Sequence, residues 1–505
     1  MKRVTIIGGG ISGLAAAYRL IELSKTSRQQ IHVTLLEAGP KLGGIIRSET
    51  RDGFLLEHGP DSFISEKPEA LALTHRLGID SHLIETNPQH RRSFIVKNGR
   101  LRPVPQGFQL LAPSRLWPFV TSDIFSLAGK ARLAVDLVLP RKNTNGNSSE
   151  SGDESLAHFV RRRLGNEALE RMAQPMVGGI YTADPEKLSL RATMPRFLEM
   201  EREHRSIILA MWRKARSAKL EQREIAKRRD SSLVKDLSGV SGARYGLFLS
   251  FDNGMHVLVD AVADRIAARE STQAVIRLNT RVKSIRRNAA TNGHETSWRI
   301  LTDRGESFTA DAVCVAIPAY RAASLLQDVN ENLASHLRDI KYASTATINL
   351  AYPRAVVPHP LDGFGFVVPF IEKRSLIACT FSSVKFSGRA PGGHVLLRAF
   401  VGGALQPEIF ALEESEVIAR VRADLRDLLG IVKEPLFAET ARWQKSMPQY
   451  ELGHLDRVDA IENELARIPN VALAGNAYKG AGIPDCIRSG EDAADELFTT
   501  LNSKQ

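Results

Sequence analysis

A short apolar run, Val4 to Ile7, passes directly into Gly8-Gly9-Gly10-Ile11-Ser12-Gly13 and then into an Ala/Leu-rich stretch ending near Leu23. No other feature narrows the fold as far. Glycines spaced Gly8-x-Gly10-x-x-Gly13 between a strand and a helix form the fingerprint of a dinucleotide-binding βαβ unit. Gly8 makes the tight turn, Gly10 admits a pyrophosphate against the backbone, and Gly13 lets helix and strand pack closely. Gly9, Ile11 and Ser12 complete the loop and open the helix, whose first amides carry the positive end of its dipole. A second strand is expected from His32 to Glu37. Glu37, 24 positions after Gly13, is placed for the ribose hydroxyls, and its charge repels a 2′-phosphate.

Three further stretches select the dinucleotide. Leu42-Gly43-Gly44-Ile45-Ile46-Arg47 follows the second strand, and its paired glycines permit another close backbone approach. Glu57-His58-Gly59-Pro60-Asp61-Ser62-Phe63 supplies a rigid Gly-Pro turn. Far away, Gly475-Asn476-Ala477-Tyr478-Lys479-Gly480-Ala481-Gly482-Ile483-Pro484-Asp485 precedes a helix expected from about Glu491 to Leu501. The dipole of such a helix stabilises an anionic reduced flavin. The combination points to FAD rather than NAD.

At 505 residues, with 43% hydrophobic and 25% charged, the chain is long enough for two or three lobes. The βαβ unit lies at one end and the Gly-rich turn near the other, with different material between. That order implies a discontinuous FAD-binding domain, 1–87 with 245–322 and 438–505. A substrate domain is expected over 88–111 with 323–437, strand-rich from Thr345 to Val401. A helical lobe is expected over 112–244, where Leu156, Phe159, Val160 and Leu164 share one helix face, with a flexible polar loop near 142–153. Short strands are expected at Val275–Leu278, Val282–Ile285, Trp298–Leu301, Ala312–Ile317 and Val471–Ala474.

Cys314, Cys379 and Cys486 are widely spaced, and the histidines show no paired-ligand spacing. A reducing, cytoplasmic setting follows, with no metal site. The net charge of +11 is concentrated. Between Trp212 and Arg229 stand Arg213, Lys214, Arg216, Lys219, Arg223, Lys227, Arg228 and Arg229 against only Glu221 and Glu224. This reads as a solvated basic face first and as peripheral contact with anionic lipid second. Nucleic acid is disfavoured, since no aromatic residues interleave with the charges after Trp212. No apolar run approaches the roughly 20 residues of a membrane-spanning helix.

Over nearly its whole length the chain resembles the protoporphyrinogen/coproporphyrinogen oxidase family of the flavin amine oxidase-like superfamily. The resemblance rests on residues 8–20, 42–44 and 57–63, NGRLRPVP (98–105), residues 155–165, GGIYTADPEKLSL (178–190) and GNAYKGAGIPDCIRSG (475–490). It implies an α/β fold: a discontinuous Rossmann-like FAD-binding domain, a mixed-sheet substrate domain and a helical membrane-associating lobe. It implies non-covalent FAD held by Gly8 through Gly13, Glu37, Gly43, Gly44, Ile45, Gly59, Pro60, Asp61, Ser62, Val282, Asn476, Ala481, Gly482 and Ile483. The substrate cleft carries over to Gly178, Gly179 and Phe364. Plant and animal members have an arginine at the position of Ser93, and the neighbouring Arg91 and Arg92 are the candidates to meet substrate carboxylates.

The implied reaction is the six-electron oxidation of protoporphyrinogen IX or coproporphyrinogen III in heme biosynthesis. It proceeds by hydride transfer to flavin, two electrons at a time, with reoxidation by O2 or quinone. Asp61 is the candidate catalytic carboxylate, stabilising positive charge on the macrocycle or accepting a proton. Alternatives on the same scaffold are an amine oxidase, a carotenoid desaturase, or a non-catalytic protein like the GDP-dissociation inhibitors. Cys486 lies past the flavin turn and does not match the covalent flavin attachment of some amine oxidases.

Overall fold

The computed structural model describes the chain except residues 28, 106–107, 110–111, 114–115, 142–151, 229–247, 269–272, 289–296 and 503–505, with side chains omitted for 108–109, 112–113, 116 and 218–228. The expected loop near 142–153 thus lies outside the described residues apart from Gly152 and Asp153, and so does part of the basic segment.

The first sheet is parallel, with strands in the order Ala274–Arg277, Ile31–Leu36, Lys2–Ile7, Ala312–Val315, Val471–Leu473. The inner runs Val4–Ile7 and Ala312–Val315 are buried, as parallel sheets require, whereas the edge strand Ala274–Arg277 is only partly so. The first helix, Ile11–Thr26, packs beside the helix Ile483–Asn502. Close approach is possible because Gly490 abuts the first helix: a Cβ there would lie 2.1 Å from the Ser12 carbonyl oxygen. The helix Ile483–Asn502 begins eight residues earlier than expected from the sequence. Pro484, at its second position, costs nothing in a first turn whose amides have no intrahelical partner. The expected strands near Val275 and Val282 lie in different sheets, the latter in a small antiparallel sheet with Trp298–Thr302.

The second sheet has seven strands, running Phe437–Pro448, Tyr342–Pro353, His394–Gly402, Ala378–Phe381, Gly365–Val367, Phe94–Lys97, Arg100–Pro103. Its strands alternate in the period-two manner. Ala346, Ile348, Leu350 and Tyr352 pack with Val421 and Leu425 of the helix Glu414–Leu429. Thr347 and Asn349 point the other way, onto the 57–59 segment: Thr347 Oγ1 donates to the His58 carbonyl (2.7 Å) and Asn349 Nδ2 to that of Glu57 (3.2 Å). Among the described residues between 116 and 228 the regular structure is helical, and Leu156, Phe159, Val160 and Leu164 are all buried in its core. Among the described residues, no helix is long and apolar enough to cross a membrane.

Candidate functional site

Gly8 and Gly13 are fixed by packing. Gly8 has φ +112°, and a Cβ on Gly13 would stand 1.9 Å from the Gly8 carbonyl oxygen. Gly10 differs: space beyond it is open, and it caps the first helix with no side-chain hydrogen bond. Amides at that helix end therefore face the opening. The Glu37 carboxylate accepts from the Gly9 amide (2.7 Å) through one oxygen and from Gly39 (2.6 Å) through the other. Each oxygen keeps a lone pair for a further donor. Thr280, two residues before Val282, donates its amide to the Glu37 carbonyl (2.8 Å), which brings the Val282 strand alongside this end of the site.

The second glycine loop is bonded to the first, since the Gly43 amide donates to the Gly9 carbonyl (2.8 Å). Gly43 and Gly44 have φ of +100° and +61°, and the apolar side chain of Ile45 is 39% exposed beside them. Gly59 closes onto the same loop, with no room for a Cβ against the Ile45 carbonyl oxygen. Three successive loops of the N-terminal segment thus meet at one place.

From the far end, the loop holding Asn476, Ala481 and Gly482 leads into Ile483 at the start of its helix. Asp485, buried in that first turn, is bound by Lys67 (2.6 Å) and Arg488 (2.7 Å).

Asp61 occupies a charged, largely enclosed position. Lys385 Nζ donates to both carboxylate oxygens (2.9 and 3.0 Å), Ser62 Oγ donates at 2.8 Å, and Arg398 Nη1 lies 3.8 Å away. Burial opposes ionisation, but Lys385 and Arg398 overcome it and hold the Asp61 carboxyl well below the usual range. Burial pushes the Lys385 ammonium down, against the pull of Asp61. Four residues earlier, burial raises the Glu57 carboxyl to about 7 despite donors from Ser48 and Met255. The Nε and Nη1 atoms of Arg398 are buried without a hydrogen-bond partner, and its guanidinium lies over the Phe400 ring at 4.6 Å. His58, Glu49 and Glu439 approach within 4.8 Å of one another. Arg47 and Arg51 already pair with the two glutamates (3.0 and 3.3 Å), which makes the trio part of an ion-pair network.

The remaining cleft candidates lie on other elements. Gly178 and Gly179 sit on the helix Gln174–Tyr181, where a Cβ on Gly179 would touch only Val367, at 3.7 Å. Phe364 is buried yet outside the apolar core of the second sheet, and its amide donates to the Arg92 carbonyl (2.8 Å). Arg92 is committed to Asp362, through both the side chain and the carbonyl, and leans on Phe94. Arg91 is freer: its nearest carboxylate is Glu85 at 3.7 Å, and its buried Nε has no partner.

The sequence pattern of the flavin containing amine oxidoreductases matches residues 11–498. The chain belongs to that family. Among its relatives is a coproporphyrinogen III oxidase of Bacillus subtilis, 35% identical over 99% of both chains. A mitochondrial protoporphyrinogen oxidase of Nicotiana tabacum is 28% identical, over 99% of this chain and 96% of its own. A crystal structure from Exiguobacterium sp. 255-15 superposes with a TM-score of 0.80 at 29% identity, covering 99% of each chain.

As a member of the flavin amine oxidoreductases the protein is an FAD-dependent oxidase, and its residues fit that cofactor. Open space at Gly10, an uncapped helix end, spare acceptor positions on Glu37 and an exposed Ile45 are what a bound dinucleotide needs. Sequence reasoning missed Lys67, Lys385, Arg398 and Thr347. None stands in a recognisable motif, and only the alternation of the second sheet's strands marked Thr347 and Arg398 as facing away from the apolar core.

Proposed function

We propose that this flavoenzyme oxidises coproporphyrinogen III to coproporphyrin III. The observation that carries the reading is 35% identity, along 99% of both chains, to the coproporphyrinogen III oxidase of Bacillus subtilis. The lower identity of 28% to the tobacco protoporphyrinogen oxidase supports protoporphyrinogen IX as the second reading. When bound, FAD would supply the two-electron redox chemistry, with O2 or a quinone as acceptor.

The chain's own residues bind and orient. Gly8 to Gly13, with Gly43 to Ile45, cradle the diphosphate, Glu37 takes the ribose, and Val282 lies toward the same end. Gly59 to Ser62, Asn476 and Ala481 to Ile483 surround the ring. A carboxylate held as low as Asp61 keeps an abstracted proton poorly. Its service is electrostatic: it offsets positive charge developing on the macrocycle while Lys385 fixes its orientation. Gly178, Gly179 and Phe364 form the walls of the cleft. Of the two arginines, Arg91 is the one free to meet a substrate carboxylate, Arg92 being held by Asp362.

Two placements accompany this reading. The chain divides into an FAD domain (1–87, 245–322, 438–505), a substrate domain (88–111, 323–437) and a helical lobe (112–244), except that the strand Phe437–Pro448 pairs into the second sheet and goes with the substrate domain; limited proteolysis tests the division. The protein is cytoplasmic, and its helical lobe meets the membrane surface. Trp117 (76% exposed), Leu127 (84%) and Val138 (71%) present apolar side chains there. The helix Ile207–Arg228, packed against the Val135–Leu137 turn, adds exposed Trp212, Arg213, Lys214 and Arg216. Flotation with anionic rather than zwitterionic vesicles is the expected outcome, and equal flotation with both rejects the basic contribution.

Anaerobic mixing with each porphyrinogen tests the activity. Coproporphyrinogen III is expected to bleach the flavin and, on admission of air, yield fluorescent porphyrin with the larger kcat/KM. A larger kcat/KM on protoporphyrinogen IX selects the second reading. Failure of both substrates to bleach the flavin rejects porphyrinogen oxidation.

A further inference from the structure

We infer that Tyr450 is a positioning residue that latches the flavin-ring loop, residues 475–483, to the helix carrying Gly178 and Gly179. The inference rests on the placement of the FAD ring at that loop. The Tyr450 hydroxyl is used in both directions: it donates to the Asn476 carbonyl (2.6 Å) and accepts from the Gly480 amide (2.9 Å). One phenol thereby closes the loop across the residues that precede the helix start at Ile483. Gly480, whose amide is bound there, leaves no room for a side chain. It has φ +145°, and a Cβ there would fall 2.3 Å from Asp485 Cγ.

His454 braces the latch from beneath. Its ring stacks on Tyr450 at 4.1 Å and 12°, and its Nε2 lies 2.9 Å from the Tyr478 carbonyl. A carbonyl only accepts, so Nε2 carries the proton and donates. His454 is fully buried, and that burial lowers its readiness to take a second proton.

The same short segment reaches the helical lobe. Tyr450, 2% exposed, is part of that lobe's apolar core, and its carbonyl accepts from the Ser189 amide (2.8 Å). Gln449 Nε2 donates to the carbonyl of Tyr181, whose ring lies 6.4 Å from that of Tyr450. Tyr181 is the last residue of the helix Gln174–Tyr181. Ordering the loop around a bound ring therefore restrains the proposed cleft wall, so cofactor loading prepares the substrate side.

The test strips FAD from the wild-type and Tyr450→Phe chains, titrates it back, and follows amide exchange in loaded and stripped protein. In wild type, FAD is expected to slow exchange over both 475–483 and 174–181. Tyr450→Phe keeps the ring and its stacking but loses both hydroxyl bonds. It is expected to bind FAD about tenfold to a hundredfold more weakly and to lose the FAD-dependent slowing at 174–181. A purely architectural tyrosine would lower Tm while leaving that slowing intact. Equal affinity with equal slowing overturns the inference. Should the variant fail to fold, the wild-type experiment decides alone, because unchanged exchange at 174–181 on loading overturns the latch. A wild-type chain that takes up no FAD removes the cofactor placement itself, a different failure.

Discussion

The two ends of the proposed FAD site are built differently. Around Gly8–Gly13 and Gly43–Gly44 the work is done by backbone, and the only side chain needed, Glu37, is two residues from one of the amides it binds. Around Asp61 and the 475–483 loop it is done by side chains, and the counter-charge that reaches each acid from afar is hundreds of residues away: Lys385 for Asp61, Lys67 for Asp485 just past the loop. A backbone site is encoded by local conformation and tolerates little change in shape. A side-chain site is encoded by tertiary contacts and is sensitive to charge.

The sharpest way to break this contrast is to substitute glycines of one motif separately. Gly13→Val sets side-chain atoms against the Gly8 carbonyl and is expected to cost more than about 4 kcal/mol, giving little folded protein. Gly10→Ala faces open space and is expected to melt like wild type while binding FAD about tenfold more weakly. Similar melting of the two variants would remove the distinction between packing and cofactor approach. At the other end, Asp61→Asn strands Lys385 and Arg398 without their counter-charge, and a loss of about 3 kcal/mol in denaturant unfolding is expected. A loss under about 1 kcal/mol would mean water or another group already serves those cations.

Glu57 gives a pH-dependent version of the same test. Its carboxyl is raised from 4.5 to about 7 on folding, so between those values the folded state holds the extra proton. Stability from this group is full below about 4.5 and declines as pH rises through about 7. Glu57→Gln is expected to remove that decline, a change of about 2 kcal/mol across the window allowing for the nearby arginines. An unchanged pH profile of Tm would count against it. The smallest effect belongs to the cleft arginines: Arg91→Ala is expected to raise KM about tenfold with kcat nearly unchanged, and Arg92→Ala to alter KM little.

The contrast also accounts for what the sequence alone disclosed. Gly8, Gly10, Gly13 and Glu37 were legible because turn geometry and spacing impose them over one strand–helix–strand unit. The second sheet was expected only as a strand-rich stretch, since pairing order depends on partners that local pattern does not name. The start of the helix at Ile483 was missed because Gly-Ile-Pro-Asp reads as a turn, although proline is compatible with a helix's first turn. Arg91 and Arg92 are indistinguishable by sequence, and only the position of Asp362 separates them. Tyr450 carries no local signal, because its partners at 476, 480 and 181 converge only when the chain is folded.

Pairing of Val471–Leu473 with Ala312–Val315 has a consequence for synthesis. During translation at roughly 5–20 residues per second, the strand Ile31–Leu36 emerges roughly 20–90 s before its sheet gains its final strand. Throughout that interval one margin of the nascent sheet, at Ala312–Val315 once it is made, has unpaired amides and carbonyls. A chain still on the ribosome therefore exposes the kind of strand margin that invites mispairing, and the 475–483 loop proposed to hold the flavin ring is made only after nearly all of the rest.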